Sequence, residues 1–369
     1  MKKIIENIKF IQEGTMVFGD LYLEDGYVER IDYKSPHMSS DIAIPGFVDI
    51  HTHGFRSFAC DNATPENLKA LSLAYPKRGI TSFCATISAR SLAEYEEIIK
   101  VYSSVFQGDY KGAQFEGVHL EGPYLNPECC GAQNLDKLCE IHLGELEDFL
   151  SKYHDCIKIM TIAPELKHAS EAIQLLNLYG VHVSLGHTNA TFEQTKEAFE
   201  SGATQITHLG NTMPRIDHHQ ATMMDAIFAS NCTCEIIMDR VHMQKEMLKW
   251  VLQLLGSERV VAVSDGTIYS GYEDESDIKP TDGFTYKNHA IYIDDLLIGS
   301  CCDLLNIFQF LYKEAQYDLM DCIRLCSTNA AKILKSYTTE IGLGKKVNLV
   351  ILDHNLQIKD VIINGKSVL

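Results

Sequence analysis

Residues 115–134 read FEGVHLEGPYLNPECCGAQN, a short strand-like run that carries Glu121 to a Gly-Pro turn. Three further stretches end an apolar strand in a histidine or an aspartate: VSLGHT at His187, ITHLGN at His208 and VAVSDG at Asp265. A fourth, IPGFVDIHTHG, ends in His51 and His53. This recurrence bears on the fold as much as on the chemistry, because polar residues that end successive parallel strands meet at one face of a closed barrel. Strands are expected near 45–50, 79–87, 114–120, 156–163, 181–186, 203–208, 233–239 and 259–264. Helical periodicity lies between them, as in PENLKALSLAYPKRG, SLAEYEEIIKVYSSVF and MQKEMLKWVLQLLG. Eight strands with interposed helices have the arithmetic of an α/β fold of the (β/α)8 type. A doubly wound open sheet competes, but no GxGxxG follows the first strand.

Outside this span the texture changes. Residues 1–44 alternate apolar and polar residues in short pieces, with turns expected at Glu13-Gly14, Gly19-Asp20 and Asp25-Gly26. From 340 onward the alternation returns, with a hairpin signal at Asn364-Gly365. The two ends, 1–44 and 340–369, are expected to form one small β-sandwich, with the barrel, 45–339, inserted between them.

Composition removes several classes of function. A net charge of −18 argues against a nucleic-acid surface, which needs an excess of Lys and Arg. No apolar run reaches the roughly 18 residues of a membrane-spanning helix, and the N-terminus lacks a signal-peptide core. The twelve cysteines include no CxxC pair, so they read as reduced thiols packed as small hydrophobes. A cytoplasmic protein with a small-molecule partner, and neither nucleic acid nor membrane, is the expectation.

The strand ends suggest a metal. Side chains alternate along a strand, so His51 and His53 share a face, roughly 6–7 Å apart. By the same rule Phe115, Gly117, His119 and Glu121 share one face and Val183, Leu185 and His187 another, the apolar members filling the barrel. A carboxylate and two imidazoles suit Zn²⁺ or Fe²⁺, and three protein ligands leave a position open for catalysis. Glu121, His187 and His208 supply that set. His51 and His53 can hold a second ion with Glu121 as the bridge, giving one or two divalent ions. A lone strand-end histidine is more often structural; four placed with Glu121 by one rule are not. Asp265, which alone reads as a turn or cap residue, becomes a general base when it stands beside metal-activated water.

The motifs PGFVDIHTHG, GVHLEGPYLNP, TIAPE, SLGHTNAT, THLGNTMP, MDRVHM and VSDG occur in that order over essentially the whole chain. In this it resembles the N-acetylglucosamine-6-phosphate deacetylases of the amidohydrolase superfamily. The resemblance implies hydrolysis of the acetamide of an N-acetyl amino sugar 6-phosphate to amine and acetate. It carries the family's metal triad onto Glu121, His187 and His208, its catalytic aspartate onto Asp265, and substrate contacts onto Asn211, Thr212 and His242. The retained His51 and His53 favour two ions.

Three positions depart from the pattern. Gln133 stands where the family has a substrate-contacting histidine, and His218 and His219 stand where an arginine reaches the phosphate of the neighbouring subunit's substrate. Asn348 replaces the aspartate of the C-terminal strand. That contact between subunits implies a homodimer. Arginine's planar fork suits phosphate as histidine does not, so a deacetylase for another N-acyl amino sugar, unphosphorylated or galacto-configured, is the alternative. A non-catalytic sugar-phosphate binding protein is the reading from another class; no ligand or base is missing to support it. Residues 266–287, rich in Asp, Glu and Gly, are either a lid or a solvated loop.

Overall fold

The computed structural model describes residues 2–35, 41–108, 110–281, 283–336 and 340–369. Eight parallel strands lie side by side in chain order: Phe47–Thr52, Ile80–Ile87, Gln114–Glu121, Ile157–Ile162, His182–Leu185, Gln205–Ile206, Thr233–Ile237 and Val260–Val263. The eighth strand rejoins the first just beyond its end. There the Asp265 N–H donates to His51 O at 2.9 Å, and the N–H groups of His53 and Gly54 donate to Gly266 O at 2.8 and 2.9 Å. The barrel is therefore nearly closed, and its seam lies at the face where the polar strand ends gather.

A helix follows each strand: Pro65–Ala74, Leu92–Val105, Leu143–Tyr153, Ala169–Leu178, Phe192–Glu200, Met223–Ala229, Lys245–Leu255 and Leu304–Gln309. Their starts are written locally. Ser91 with Glu94, Thr191 with Gln194 and Thr222 with Asp225 form capping boxes, each satisfying two backbone N–H groups that a helix leaves unpaired. Helix Lys245–Leu255 buries Leu248, Val251, Leu252 and Leu255, a stripe at i, i+3, i+4 and i+7 that lays one face on the barrel. Before the last helix the chain forms a small antiparallel sheet, Thr285–Lys287, Ala290–Ile293 and Leu296–Ser300.

The barrel interior does not follow the expected alternation. Phe115 packs outside it, its ring centroid 4.8 to 5.8 Å from those of Phe106, Tyr102 and Phe83. Val183 and Leu185 likewise belong to the core between strands and helices. Inside are Val48, Ile50, Cys84, Ile159, Ile237, Val261 and Val263. A polar layer is buried with them: His119 meets Thr161 Oγ1 at 2.8 Å, and Thr207 Oγ1 meets Thr161 Oγ1 and Ser184 Oγ at 2.8 and 2.6 Å. The physical cause is local. The third strand is bulged, with Phe83 paired to Phe115 and Cys84 to Gly117, and His187, His208 and Asp265 have φ of 49°, 30° and 45°. A left-handed residue at a strand's end turns its side chain away from the face that alternation assigns, at a cost on the order of 1 kcal/mol each.

The chain ends form one seven-stranded sheet, mostly antiparallel, from Lys2–Gln12, Thr15–Glu24, Tyr27–Tyr33, Ile42–Pro45, Leu349–Leu352, Ile358–Ile363 and Lys366–Ser367. Its Tyr27–Tyr33 edge bonds back to the segment before Leu349, through Val28 N–H to Lys345 O at 2.9 Å and Gly344 N–H to Val28 O at 2.8 Å. The sheet thus curls over its own core, which includes Ile8, Phe10, Leu21, Val28 and Leu349. Turns at Glu13-Gly14, Asp25-Gly26 and Asn364-Gly365 have positive φ at both residues, as tight hairpins require.

Gly19-Asp20 is not a turn. Gly19 lies within a strand, where a Cβ would stand 2.5 Å from Asp32 O, so close strand approach explains the glycine. Asn348 ties the sheet to the barrel, donating from Nδ2 to Gln114 Oε1 at 2.8 Å and accepting from Asn364 N–H at 3.0 Å. The expected boundary at 339/340 falls on residues 337–339, outside the described residues. Among the described residues no helix is long and apolar enough to cross a membrane.

Candidate active site

The strand ends enclose a cavity of about 680 Å³. His53, Glu121, His187, His208 and Asp265 line its floor, with His51 buried beneath. Glu121 Oε1 lies 3.0 Å from Nε2 of His187 and 3.0 Å from Nε2 of His208, and those nitrogens are 3.1 Å apart. Glu121 Oε2 faces the other side, 3.2 Å from His53 Nε2. Asp265 Oδ1 stands 3.4 Å from His53 Nε2 and 3.5 Å from His51 Nε2. One carboxylate therefore joins two groups of nitrogen donors.

These residues fit divalent cations. Donors about 2.0 Å from one tetrahedral ion stand roughly 3.3 Å apart, close to the spacing within the Glu121, His187 and His208 set. His187 turns Nδ1 to Cys129 O at 3.0 Å, so its Nε2 lone pair faces the set. His51 Nε2 is buried without a hydrogen-bond partner, and the donor atoms of His51, His53 and Asp265 lie within one ion's reach of each other. A buried polar atom left unpaired has a cost that a cation would remove.

Charge is concentrated beneath the floor. Burial disfavours the charged form of His51, but Glu235, Glu121 and Asp265 outweigh it and raise its pKa to about 10. Burial also opposes the Glu121 carboxylate, yet His51, His187, His208 and His53 hold it well below the usual range. His119 lies deeper, and burial, with His51 adding to it, pushes its pKa down to about 4.

The expected substrate-facing residues separate into two groups. Gln133, Asn211, Thr212 and His242 line the cavity. Gln133 donates from Nε2 to Glu121 Oε2 at 2.5 Å and accepts from Ala89 N–H at 2.8 Å, so it spans the floor and the wall. Its loop passes closely over His187: a Cβ on Gly131, whose φ is 58°, would meet Thr212 Cγ2 at 2.7 Å. His242 Nδ1 meets Asp239 Oδ2 at 2.6 Å; burial opposes its charge, and Asp239 overcomes that and raises its pKa. His219 is not brought to the cavity. It is exposed on the outer loop with its ring against His218, centroids 3.9 Å apart.

Residues 266–287 form part of the wall rather than a detached loop. Ile268, Tyr269, Thr281 and Phe284 face the cavity, joined by Leu296, Leu297 and Ile298 of the following hairpin. Asp282 in this stretch lies outside the described residues. No Lys or Arg lines the cavity among the described residues.

Three carboxylates were not anticipated. Glu235 is fully buried and accepts from His51 Nδ1 at 2.8 Å. Asp239 holds His242. Glu165 accepts from Asn126 Nδ2 at 2.7 Å, from Asn189 N–H at 2.6 Å and from the Thr188 hydroxyl, fixing the turn after His187. The available signal was an acidic residue inside or just after an apolar run, in TCEIIMD and TIAPE.

A family model described as Amidohydrolase family matches residues 42–368, and the chain belongs to that family. It is 27% identical over 374 residues to an N-acetylglucosamine-6-phosphate deacetylase of Lysinibacillus sphaericus, covering 98% of this chain and 97% of that one. It is 24% identical over 364 residues to an N-acetylgalactosamine-6-phosphate deacetylase of Escherichia coli O157:H7, with 96% of each chain covered. Among solved structures it is similar to an N-acetylglucosamine-6-phosphate deacetylase of Thermotoga maritima, at 25% identity and a TM-score of 0.89 over 100% of this chain and 99% of that one.

Proposed function

We propose that this amidohydrolase-family chain hydrolyses the acetamide of N-acetylglucosamine 6-phosphate, or of a close N-acetyl amino sugar phosphate, to the amino sugar phosphate and acetate. The observation that carries the reading is the meeting of Glu121, His187, His208 and Asp265 on one cavity floor. Glu121, His187 and His208 would hold one divalent ion, and His51 and His53, sharing Glu121, a second. Zinc or iron suits these donors. Such an ion supplies polarisation of the acyl carbonyl and lowers the pKa of water toward about 7.

The chain's own groups do the rest. Asp265 takes the proton of the attacking water and passes it to the departing nitrogen as the C–N bond breaks, so water and amide become acetate and free amine. His242, whose charged form Asp239 favours, donates to a substrate oxygen from the cavity side. Asn211 and Thr212 offer polar groups to the sugar, and Gln133 holds the second oxygen of Glu121. His219, exposed and outside the cavity, would reach substrate only from a second copy of the chain, so a substrate role for it requires a homodimer. The twelve free cysteines suit a cytoplasmic location.

The absence of a Lys or Arg from the described cavity lining favours a second reading, an unphosphorylated N-acyl amino sugar, and the likeness to an N-acetylgalactosamine-6-phosphate deacetylase keeps a galacto-configured one beside it. Acetate release from N-acetylglucosamine 6-phosphate, its unphosphorylated form and the galacto epimer, each with Zn²⁺, Fe²⁺ or Mn²⁺, tests both. The first reading expects kcat/KM highest on the gluco 6-phosphate; no release from any of them would overturn both.

A further inference from the structure

We propose that Glu235 is a positioning residue for His51: its carboxylate holds the imidazole by Nδ1–H and so presents Nε2 to a second divalent cation at the His51, His53 and Asp265 group. The inference rests on the two-ion reading above and extends it to a residue that touches neither substrate nor ion.

Glu235 lies in the seventh barrel strand, below the cavity floor and wholly buried. A buried carboxylate is retained as an anion only when its oxygens are matched by donors. Oε2 takes the His51 Nδ1–H at 2.8 Å and the His208 N–H at 3.4 Å, while Oε1 takes the Gln205 amide at 2.5 Å. Gln205 therefore prevents the carboxylate from rotating away from His51. On the far side of the ring, His51 Nε2 has no partner and stands 3.5 Å from both Glu121 Oε1 and Asp265 Oδ1.

The arrangement is asymmetric in a useful way. A ring held only by packing could present either nitrogen to the site, and a ring presenting N–H would repel a cation. A carboxylate on Nδ1 fixes that nitrogen as the N–H, so the proton a cation displaces is the one on Nε2, and it makes Nε2 a better donor; removing such a partner weakens metal binding by about 10- to 100-fold. His187 has a weaker version of the same support, a backbone carbonyl at Cys129. Glu235 also touches the His208 backbone, so it joins the two halves of the site without entering either.

Zn²⁺ titration of the metal-free full-length chain against a chromophoric chelator tests this, with thermal melts alongside. Wild type should take up two ions and His51→Asn one. Glu235→Gln, which keeps the shape and loses the charge, should weaken only the second ion by about tenfold, and Glu235→Ala by about 100-fold. The first ion and the melt of Glu235→Gln should match wild type. If Glu235→Ala does not fold, Glu235→Gln decides alone.

A Glu235→Gln protein holding both ions with wild-type affinity would overturn the inference. Equal weakening of both ions would overturn it too, by making Glu235 a structural residue. A wild-type protein that takes up a single ion at saturation would instead remove the two-ion reading, and this inference with it. Acetate release bears on neither result.

Discussion

The floor of the cavity and its rim are built under different constraints. On the floor, Glu121, His187, His208 and His51 are each no more than 4% exposed, and each is held by a partner from another strand or loop. At and beyond the rim, His218 and His219 sit on an exposed outer loop with their rings together, while Gln133 is half-buried on a loop of its own. Burial makes the floor unforgiving, because an unpaired polar group there costs about 1–3 kcal/mol. The rim pays no such penalty, so its residues can change while the fold and the reaction remain. The departures from the family's pattern at Gln133 and His219 fall on loops, Gln133 at the cavity wall and His219 outside the cavity, and none falls among the expected ligands or at Asp265.

The harshest test of this division strikes the floor. Asp265→Asn keeps the size of the side chain and removes its ability to accept a proton. Turnover should fall by roughly 10²- to 10⁴-fold, with the ion of the Glu121, His187 and His208 set still present by elemental analysis. A variant with near-normal kcat would break the assignment of the base, and with it the claim that the floor carries the chemistry.

A milder test lies where floor meets wall. His242 lines the cavity, but its Nδ1 is fixed by the buried Asp239. Its raised pKa means that the charge is present below that pKa and lost as pH rises through it. Asp239→Asn removes the opposing charge and lowers that pKa. The alkaline limb of kcat/KM should then move toward lower pH, and KM should rise. An unchanged limb would mean that His242 meets substrate as a neutral ring.

How much of this was legible beforehand follows the same boundary. Strand ends are written locally: an apolar run that stops at a polar residue and a glycine locates Glu121, His187, His208 and Asp265 with no knowledge of the fold. The eight-strand count and the hairpins at Asp25-Gly26 and Asn364-Gly365 are local in the same sense. What alternation could not deliver was the direction of side chains at breaks in the strands. His187 and His208 reach the axis through positive φ, and Ser184 and Thr207, not Val183 and Leu185, fill the interior. Glu235 was hidden for a related reason. A glutamate inside TCEIIMD is an anomaly that acquires meaning only when the first strand brings His51 beside it.

The smallest expected effect is on the rim, and it separates the two substrate readings. If His219 of one copy meets the phosphate bound by another, His219→Ala should lower kcat/KM on N-acetylglucosamine 6-phosphate by up to about fivefold, the worth of an exposed charge pair. The unphosphorylated sugar should be unaffected. His219→Arg should raise the phosphorylated rate, by threefold to tenfold, since a planar guanidinium grips phosphate with two hydrogen bonds where an imidazole offers one. Both changes should shrink as salt rises, because the contact is exposed. Equal rates for all three proteins on both sugars would detach this loop from phosphate recognition. The absence of Lys and Arg from the described cavity lining would then stand uncompensated, and the unphosphorylated substrate would become the better reading, with the floor and its reaction unchanged.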